Sequence, residues 1–168
     1  MKANGNAQAW RKLHLAIDVS THEVVAAEVS LVSVGDNEVL PTLLNPLRRK
    51  IAQVSADGAY DAKGCYQLLR LKGCKATIPP RSNAGLWEKG HPRNEAVEAL
   101  KTGQLKQWKI DNGYHQRSLA ETAMGRYKQL NSPMLSLRDY NGQVAEALAG
   151  VKAMNKVIRG MAVRQQAA

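Results

Sequence analysis

One predicted helix, residues 113–130, carries side chains that could act on a phosphate-rich substrate. At about 100° per residue, its polar face presents Tyr114, Arg117, Glu121 and Lys128. Cationic groups can bind phosphate, and a carboxylate can ligate a metal ion, so this face suits a polyanion and a cation together. The alternative is an ordinary solvated face, in which Arg117 and Glu121 form an i,i+4 pair worth about 0.2–0.5 kcal/mol.

Two aspartates follow predicted strands and are further acidic candidates. Asp57 comes after the apolar residues of a short strand, residues 51–56, and precedes Gly58. An Asp-Gly pair is also a common turn, so the residues alone leave a turn and a metal ligand as alternatives. Asp18 ends the first predicted strand, and it too could either supply a carboxylate or belong to a hairpin turn with Thr21.

The charge balance indicates a partner rich in phosphate. The chain has 168 residues, 24 Lys and Arg, and 14 Asp and Glu, which give a net charge of +10 and a pI near 9.8. Nucleic acid is the leading class of partner, although an acidic membrane surface or an acidic protein stays open. The length and the 44% of apolar residues are those of one domain with one core.

Several classes of protein are excluded by the pattern of apolar residues and cysteines. No run approaches the roughly 18 apolar residues of a membrane span, and the first residues have no apolar leader. We therefore expect a cytoplasmic protein that spans no membrane. Cys65 and Cys74 lack the spacing of a zinc site, and we interpret both as reduced packing residues.

The elements that must position the candidates follow an α/β order. Residues 10–19 and 24–32 predict a hairpin. Next comes a predicted helix capped by Asp36, with Pro41 in its first turn, and then the strand before Asp57. They are followed by a helix capped by Asp61 and a strand at 75–78. This order indicates a single sheet with parallel members in its second half. A polar loop at 81–92, a short helix at 93–101 and a final amphipathic helix at 139–163 complete the chain.

The residues around these candidates resemble a known family. The order Tyr114, Arg117, Glu121 and Lys128 matches the tyrosine, arginine, glutamate and lysine signature of the DDE transposases of bacterial insertion sequences. Five longer phrases resemble the group called insertion-sequence family five: Trp10-Arg11-Lys12-Leu13-His14-Leu15-Ala16-Ile17-Asp18, Ala56-Asp57-Gly58-Ala59-Tyr60-Asp61, Ile78-Pro79-Pro80-Arg81, Arg117-Ser118-Leu119-Ala120-Glu121-Thr122-Ala123-Met124 and Leu137-Arg138-Asp139-Tyr140.

The resemblance implies a fold, a reaction and roles for residues. The implied fold is a ribonuclease H-like mixed sheet flanked by helices. The implied reaction is metal-dependent cleavage and strand transfer of double-stranded DNA, with Mg²⁺ or Mn²⁺ as cofactor. Asp57 and Glu121 become the metal ligands. The expected contacts to DNA come from Tyr114, Arg117, Lys128 and Arg81.

The first catalytic aspartate of the family has no matching segment before Trp10. Residues 1–9 form an unmatched polar start, so we expect residues 10–168 to be a partial catalytic domain whose first strand is missing. Asp18 is the candidate replacement. Without a third acid, metal binding should be weak and turnover slow. A missing strand also leaves an unpaired sheet edge, which predicts reduced solubility or a homo-oligomer.

The sequence also offers weaker candidates for DNA contacts and two alternative functions. A basic cluster could follow a DNA strand, although packing is the alternative for its tryptophan; its members are Lys106, Trp108, Lys109, His115 and Arg117. His14 and His91 are expected to be structural or solvated, and the loop cations Arg81, Lys89 and Arg93 could touch DNA. The alternative functions are a non-catalytic DNA-binding fragment, able to inhibit an intact transposase, and a metal-dependent nuclease of the same fold.

Overall fold

A computed structural model describes residues 11–131 and 135–166 of the chain. The predicted polar start, Trp10 and Pro133 lie outside these residues. The described part contains four strands, β1 Arg11–Ile17, β2 Val24–Leu31, β3 Gln53–Ser55 and β4 Lys75–Thr77. Its six α-helices are α1 Asp36–Leu44, α2 Lys63–Leu71, α3 Arg93–Lys101, α4 Leu105–Asp111, α5 Ser118–Leu130 and α6 Tyr140–Gln166.

The predicted hairpin is confirmed, with β1 antiparallel to β2 from Arg11 opposite Leu31 to Ile17 opposite Val24. Its alternating side chains have two different environments. One face, with Leu13, Leu15 and Ile17, packs with Val24 of β2 against the apolar side of α6. The opposite face buries His14, whose Nε2 lies 2.9 Å from the Ser30 hydroxyl. The hairpin is therefore covered on both faces, since α1 also packs on it.

Helix α1 differs from its predicted form at two residues. Gly35 is the N-cap, and Asp36 instead pairs with Lys12 of β1 at 3.2 Å. Pro41 is the sixth residue of the helix rather than part of its first turn. Because proline lacks an N–H, it cannot bond to the Asn37 carbonyl four residues earlier. That carbonyl accepts a hydrogen bond from the Cys65 thiol of α2 at 3.5 Å instead, so a neighbouring helix supplies the missing donor.

The main core lies between α1, α2 and strands β3 and β4. Its buried residues include Leu40, Leu43, Leu69 and Ile78. Strands β3 and β4 pair in parallel, with Gln53 opposite Lys75. Among the residues that the structure describes, β1–β2 and β3–β4 form two separate two-stranded sheets. The mixed α/β class and the parallel pair agree with the prediction, whereas the predicted single sheet is not observed in this part of the chain.

The loop after β4 is fixed by a buried ion pair that the sequence analysis missed. Helix α2 has Ala62 as its N-cap, so the predicted cap at Asp61 is wrong. The buried Asp61 carboxylate accepts both Nε and Nη2 of Arg93, the latter at 2.7 Å. Arg93 also donates to the Gly85 carbonyl at 2.8 Å and lies 4.2 Å from the Trp87 ring centroid. With only 5% exposure, Arg93 cannot serve as the predicted DNA contact.

None of the helices in the described residues is long and apolar enough to cross a bilayer.

The Asp61–Arg93 pair predicts a large stability effect. Asp61→Asn removes the negative charge and leaves the Arg93 guanidinium buried without a counterion, so the free energy of unfolding should fall by about 3–5 kcal/mol. Urea denaturation measures this change. Glu88→Gln is the matched control, because Glu88 is exposed and lies 3.9 Å from Lys63, and its midpoint should stay close to that of the unchanged protein. Equal midpoints for the two variants would contradict a structural role for the buried pair.

Candidate nucleic-acid and metal site

The two predicted metal ligands converge on one guanidinium group. Arg117 Nη1 lies 2.8 Å from Glu121 Oε1, and Arg117 Nη2 lies 3.5 Å from Asp57 Oδ2. Asp57 and Glu121 are 64 residues apart in sequence (121 − 57), yet both carboxylates contact the same guanidinium. Both side chains are partly exposed, with relative exposures of 43% and 64%, so each carboxylate is accessible from solution.

Asp57 owes its position to the end of β3 and to a turn. Its backbone is extended, and its Oδ1 accepts the Ala59 N–H at 3.0 Å, which caps the 3-10 turn Gly58–Tyr60. The other carboxylate oxygen is directed at Arg117. The turn alternative for Asp57 is therefore observed, and its second carboxylate oxygen contacts Arg117; the metal-ligand alternative stays a prediction.

Glu121 and Arg117 come from a segment that begins with a tight turn. Gly113 has φ +64°, a conformation that favours glycine, and leads into the 3-10 turn Tyr114–Arg117. Helix α5 starts only at Ser118, so the helix predicted from residue 113 is wrong in its first turn. The Arg117–Glu121 pair still has its predicted i,i+4 geometry, because the 3-10 turn runs directly into α5.

The buried side of α5 is narrow. Ala123 is buried with 3% exposure, whereas Leu130 at the helix end is 55% exposed. Tyr127 donates its hydroxyl to the Ala147 carbonyl of α6 at 3.2 Å. Helix α6 therefore packs against one side of α5, and Glu121 lies on the exposed side of α5.

Tyr114 lies beside the converging carboxylates. Burial raises the pKa of its hydroxyl; the Arg117 charge lowers it, and the charges of Asp57 and Glu121 raise it. The net effect is an increase, so the phenol keeps its proton at neutral pH. Lys109 of α4 places its Nζ 5.3 Å from the centroid of the Tyr114 ring. The ring is therefore a cation-binding surface next to the site.

Arg81, a predicted DNA contact, lies next to Asp57 in the structure. Its Nε donates to the Gly58 carbonyl at 3.2 Å, and its backbone N–H lies 3.4 Å from Asp61 Oδ2. The exposed guanidinium is thereby held at the edge of the site.

Asp18 and Lys128 are not brought to the carboxylates by any described contact. Asp18 Oδ1 accepts the N–H groups of Ser20 and Thr21 at 2.9 and 3.2 Å, and its Oδ2 lies 2.8 Å from Arg49. This geometry is that of the hairpin-turn alternative. Lys128 is exposed on α5, roughly 10 Å along the helix axis from Glu121.

The remaining residues singled out from the sequence have packing roles in the structure. Trp108 is buried in α4 with 9% exposure, which favours packing over stacking on DNA. His91 packs edge-on against Trp87 at 4.8 Å and Tyr66 at 5.3 Å between ring centroids. Cys65 and Cys74 are free, buried thiols, as predicted. The sequence analysis missed Gln53, although its polar type on the same strand face as Asp57 was a readable signal.

The donor set of the site fits a hard divalent cation. Mg²⁺ prefers oxygen ligands, and it is commonly held by one or two carboxylates together with water and substrate phosphates. Asp57 and Glu121 supply two such carboxylates, which already share a cationic partner in Arg117. In the described ranges, no group of three His, Cys, Asp or Glu side chains could hold a metal ion. The chain's described contribution to such a site is therefore two oxygen-donor side chains.

The chain is similar to a known protein family. A family model described as a transposase DDE domain matches residues 1–156. No solved structure matches the chain. DDE transposases act on DNA and generally use divalent metal ions. With the match spanning most of the sequence, and with Asp57 and Glu121 converging on one guanidinium, the chain belongs to the DDE-domain transposase family.

Proposed function

We propose that this chain is the catalytic domain of an insertion-sequence transposase of the family-five group. It cleaves a phosphodiester bond of double-stranded DNA and joins the freed 3′ hydroxyl to a second strand. The observation that carries this proposal is the convergence of Asp57 and Glu121 on Arg117. The group assignment rests on the phrases around these residues, and the ribonuclease H-like arrangement is supported by the hairpin followed by a parallel strand pair.

In this proposal Asp57 and Glu121 hold Mg²⁺ or Mn²⁺. Such ions would align the attacking and leaving oxygens and neutralise their charge. Arg117, which contacts both carboxylates, would then be free to bind a DNA phosphate. Asp18 remains in its turn and takes no part, so two carboxylates carry the site and metal affinity should be low.

The DNA contacts of the proposal surround the carboxylates. Arg81 beside Gly58 and Tyr114 beside Arg117 contact the backbone near the cleaved bond, and Lys128 contacts it further along α5. A net charge of +10 supports such binding. In the described residues each sheet has only two strands, so both have an edge through which a second copy could pair in a homo-oligomer.

Removing either carboxylate should abolish the reaction. Asp57→Asn and Glu121→Gln each lose a metal ligand, so nicking of a labelled duplex in Mn²⁺ should fall by about 100-fold or more. Joining of pre-cut DNA ends should fall in parallel. Asp111→Asn is the matched control, since this exposed residue bonds only to Gln107, and Asp18→Asn should behave like the control.

The same assay separates the competing functions. Nicking without joining of pre-cut ends identifies a nuclease. The absence of a described third acid favours a second candidate, the non-catalytic DNA-binding fragment. No nicking, together with DNA binding that is indifferent to both substitutions, would establish that candidate and contradict the catalytic proposal.

Arg117 should compete with a metal ion for the two carboxylates. Without DNA, Arg117→Gln should bind Mn²⁺ several-fold more tightly, which a titration followed by electron paramagnetic resonance measures. Arg117→Lys keeps the charge but cannot bridge two carboxylates with a fixed fork, so it should also bind more tightly, though less so. Arg126→Gln, on the helix α5 that follows Arg117, controls for net charge. Equal affinities for Arg117→Gln and Arg126→Gln would rule out specific competition.

Phosphate contacts predict a change in salt dependence. Lys128→Gln and Arg81→Gln should each reduce the slope of log affinity against log salt by about 0.9, because each removes one phosphate contact. Fluorescence anisotropy of a labelled duplex at several salt concentrations provides the slope. Lys101→Gln, an exposed cation on α3, should leave it unchanged. A slope that falls equally in all three variants would show that no specific surface binds the DNA.

A further inference from the structure

A row of polar side chains runs along one face of β3 and ends at the site. Gln53, Ser55 and Asp57 are two residues apart, so they share a face of the extended chain. Val54 and Ala56 point the other way and pack against the main core. A short strand in a core usually buries apolar side chains on its covered face. Three successive polar side chains on one face therefore need hydrogen-bond partners on the segment packed opposite them.

That partner is the segment that leads to Arg117. Gln53 Nε2 donates to the Asn112 carbonyl at 2.9 Å and lies 3.2 Å from the Ser55 hydroxyl. Asn112 directly precedes Gly113, the positive-φ residue that starts the 3-10 turn Tyr114–Arg117. Asn112 is itself held at the end of α4, where its Nδ2 donates to the Trp108 carbonyl at 2.9 Å. Gln53 therefore joins β3 to the base of the segment that carries Arg117 and Glu121.

Few polar contacts connect these two parts of the site. In the described residues, two join residues 53–57 to residues 112–121: the Gln53–Asn112 hydrogen bond and the Asp57–Arg117 ion pair. When Arg117 leaves Asp57 for a phosphate, the ion pair is lost. The hydrogen bond from Gln53 then remains to fix the separation of the Asp57 and Glu121 carboxylates.

We propose that Gln53 is a positioning residue, which holds the segment with Arg117 and Glu121 at the distance from Asp57 that a shared divalent cation requires. This inference rests on the proposed function for its consequence in metal binding. Its structural part, the attachment of residues 112–121 to β3, stands on the described contacts alone. Metal sites depend on such supporting hydrogen bonds, whose loss typically lowers metal affinity by about 10–100-fold.

The test uses Gln53→Met, which keeps the size of the side chain and removes its donor without adding charge. Gln67→Met on the exposed side of α2 is the matched control. Three quantities are measured for the full chain: Mn²⁺ affinity by electron paramagnetic resonance, amide hydrogen exchange of residues 113–121 by mass spectrometry, and the urea midpoint. Gln53→Met should bind Mn²⁺ at least about tenfold more weakly. Its exchange should be faster in residues 113–121 but unchanged in β4, with a midpoint near that of the control.

Each outcome separates the two proposals. If the unchanged protein binds no Mn²⁺, the proposed function fails, and the exchange data still decide whether Gln53 holds the segment. Unchanged exchange in residues 113–121, or faster exchange with unchanged Mn²⁺ affinity, would overturn the positioning role. If Gln53→Met does not fold, Gln53→Glu keeps the shape without the donor and is used for exchange alone, where faster exchange of residues 113–121 is again expected. Exchange like that of the unchanged protein in Gln53→Glu would overturn the role.

Discussion

The Arg117 guanidinium between Asp57 and Glu121 is the interaction on which the site depends. Two carboxylates that contact one group repel each other, and the positive charge of Arg117 offsets that repulsion. Arg117 contacts them with two separate nitrogens, one for each carboxylate, a geometry that a lysine cannot reproduce. A divalent ion bound by both carboxylates would offset the same repulsion.

The rest of the fold fixes the parts of the chain that meet at Arg117. The parallel pairing of β3 with β4 sets the position at which Asp57 leaves the strand, and the buried Asp61–Arg93 pair anchors the loop that carries Arg81. On the other side, α6 supports α5 through the Tyr127 hydroxyl and the hairpin through the Asn155 side chain, which bonds to both the N–H and the carbonyl of Val24. The acidic site thus lies where the end of β3 meets the segment that precedes α5, and the Gln53–Asn112 hydrogen bond joins these two segments.

Local patterns predicted the local parts of this structure. Alternating side chains gave the hairpin, helical spacing gave the Arg117–Glu121 pair, and both depend on neighbours within a few residues. The Asp61–Arg93 pair joins residues 32 apart, and nothing in the sequence near Asp61 distinguishes a buried partner from a helix cap. Pro41 was placed one turn too early, because a neighbouring thiol satisfies the carbonyl that proline leaves unpaired.

The site was predictable only in part for the same reason. The Asp57–Arg117 contact spans 60 residues (117 − 57), and the spacing of residues gave no indication of it. Its two residues were selected together through the family resemblance, while the turn contact of Asp57 became visible only with the position of its carboxylate oxygens. The number of sheets was missed because strand pairing is set by long-range packing that periodicity does not encode.

A crystal structure of the protein with a short DNA duplex and Mn²⁺, with the ion located by its anomalous scattering, tests the central claim most directly. The account predicts one Mn²⁺ within about 2.0–2.6 Å of oxygens from both Asp57 and Glu121. The Arg117 guanidinium should then lie on a DNA phosphate. An ion bound by only one of these carboxylates, or by neither, with Arg117 still between them, would contradict it.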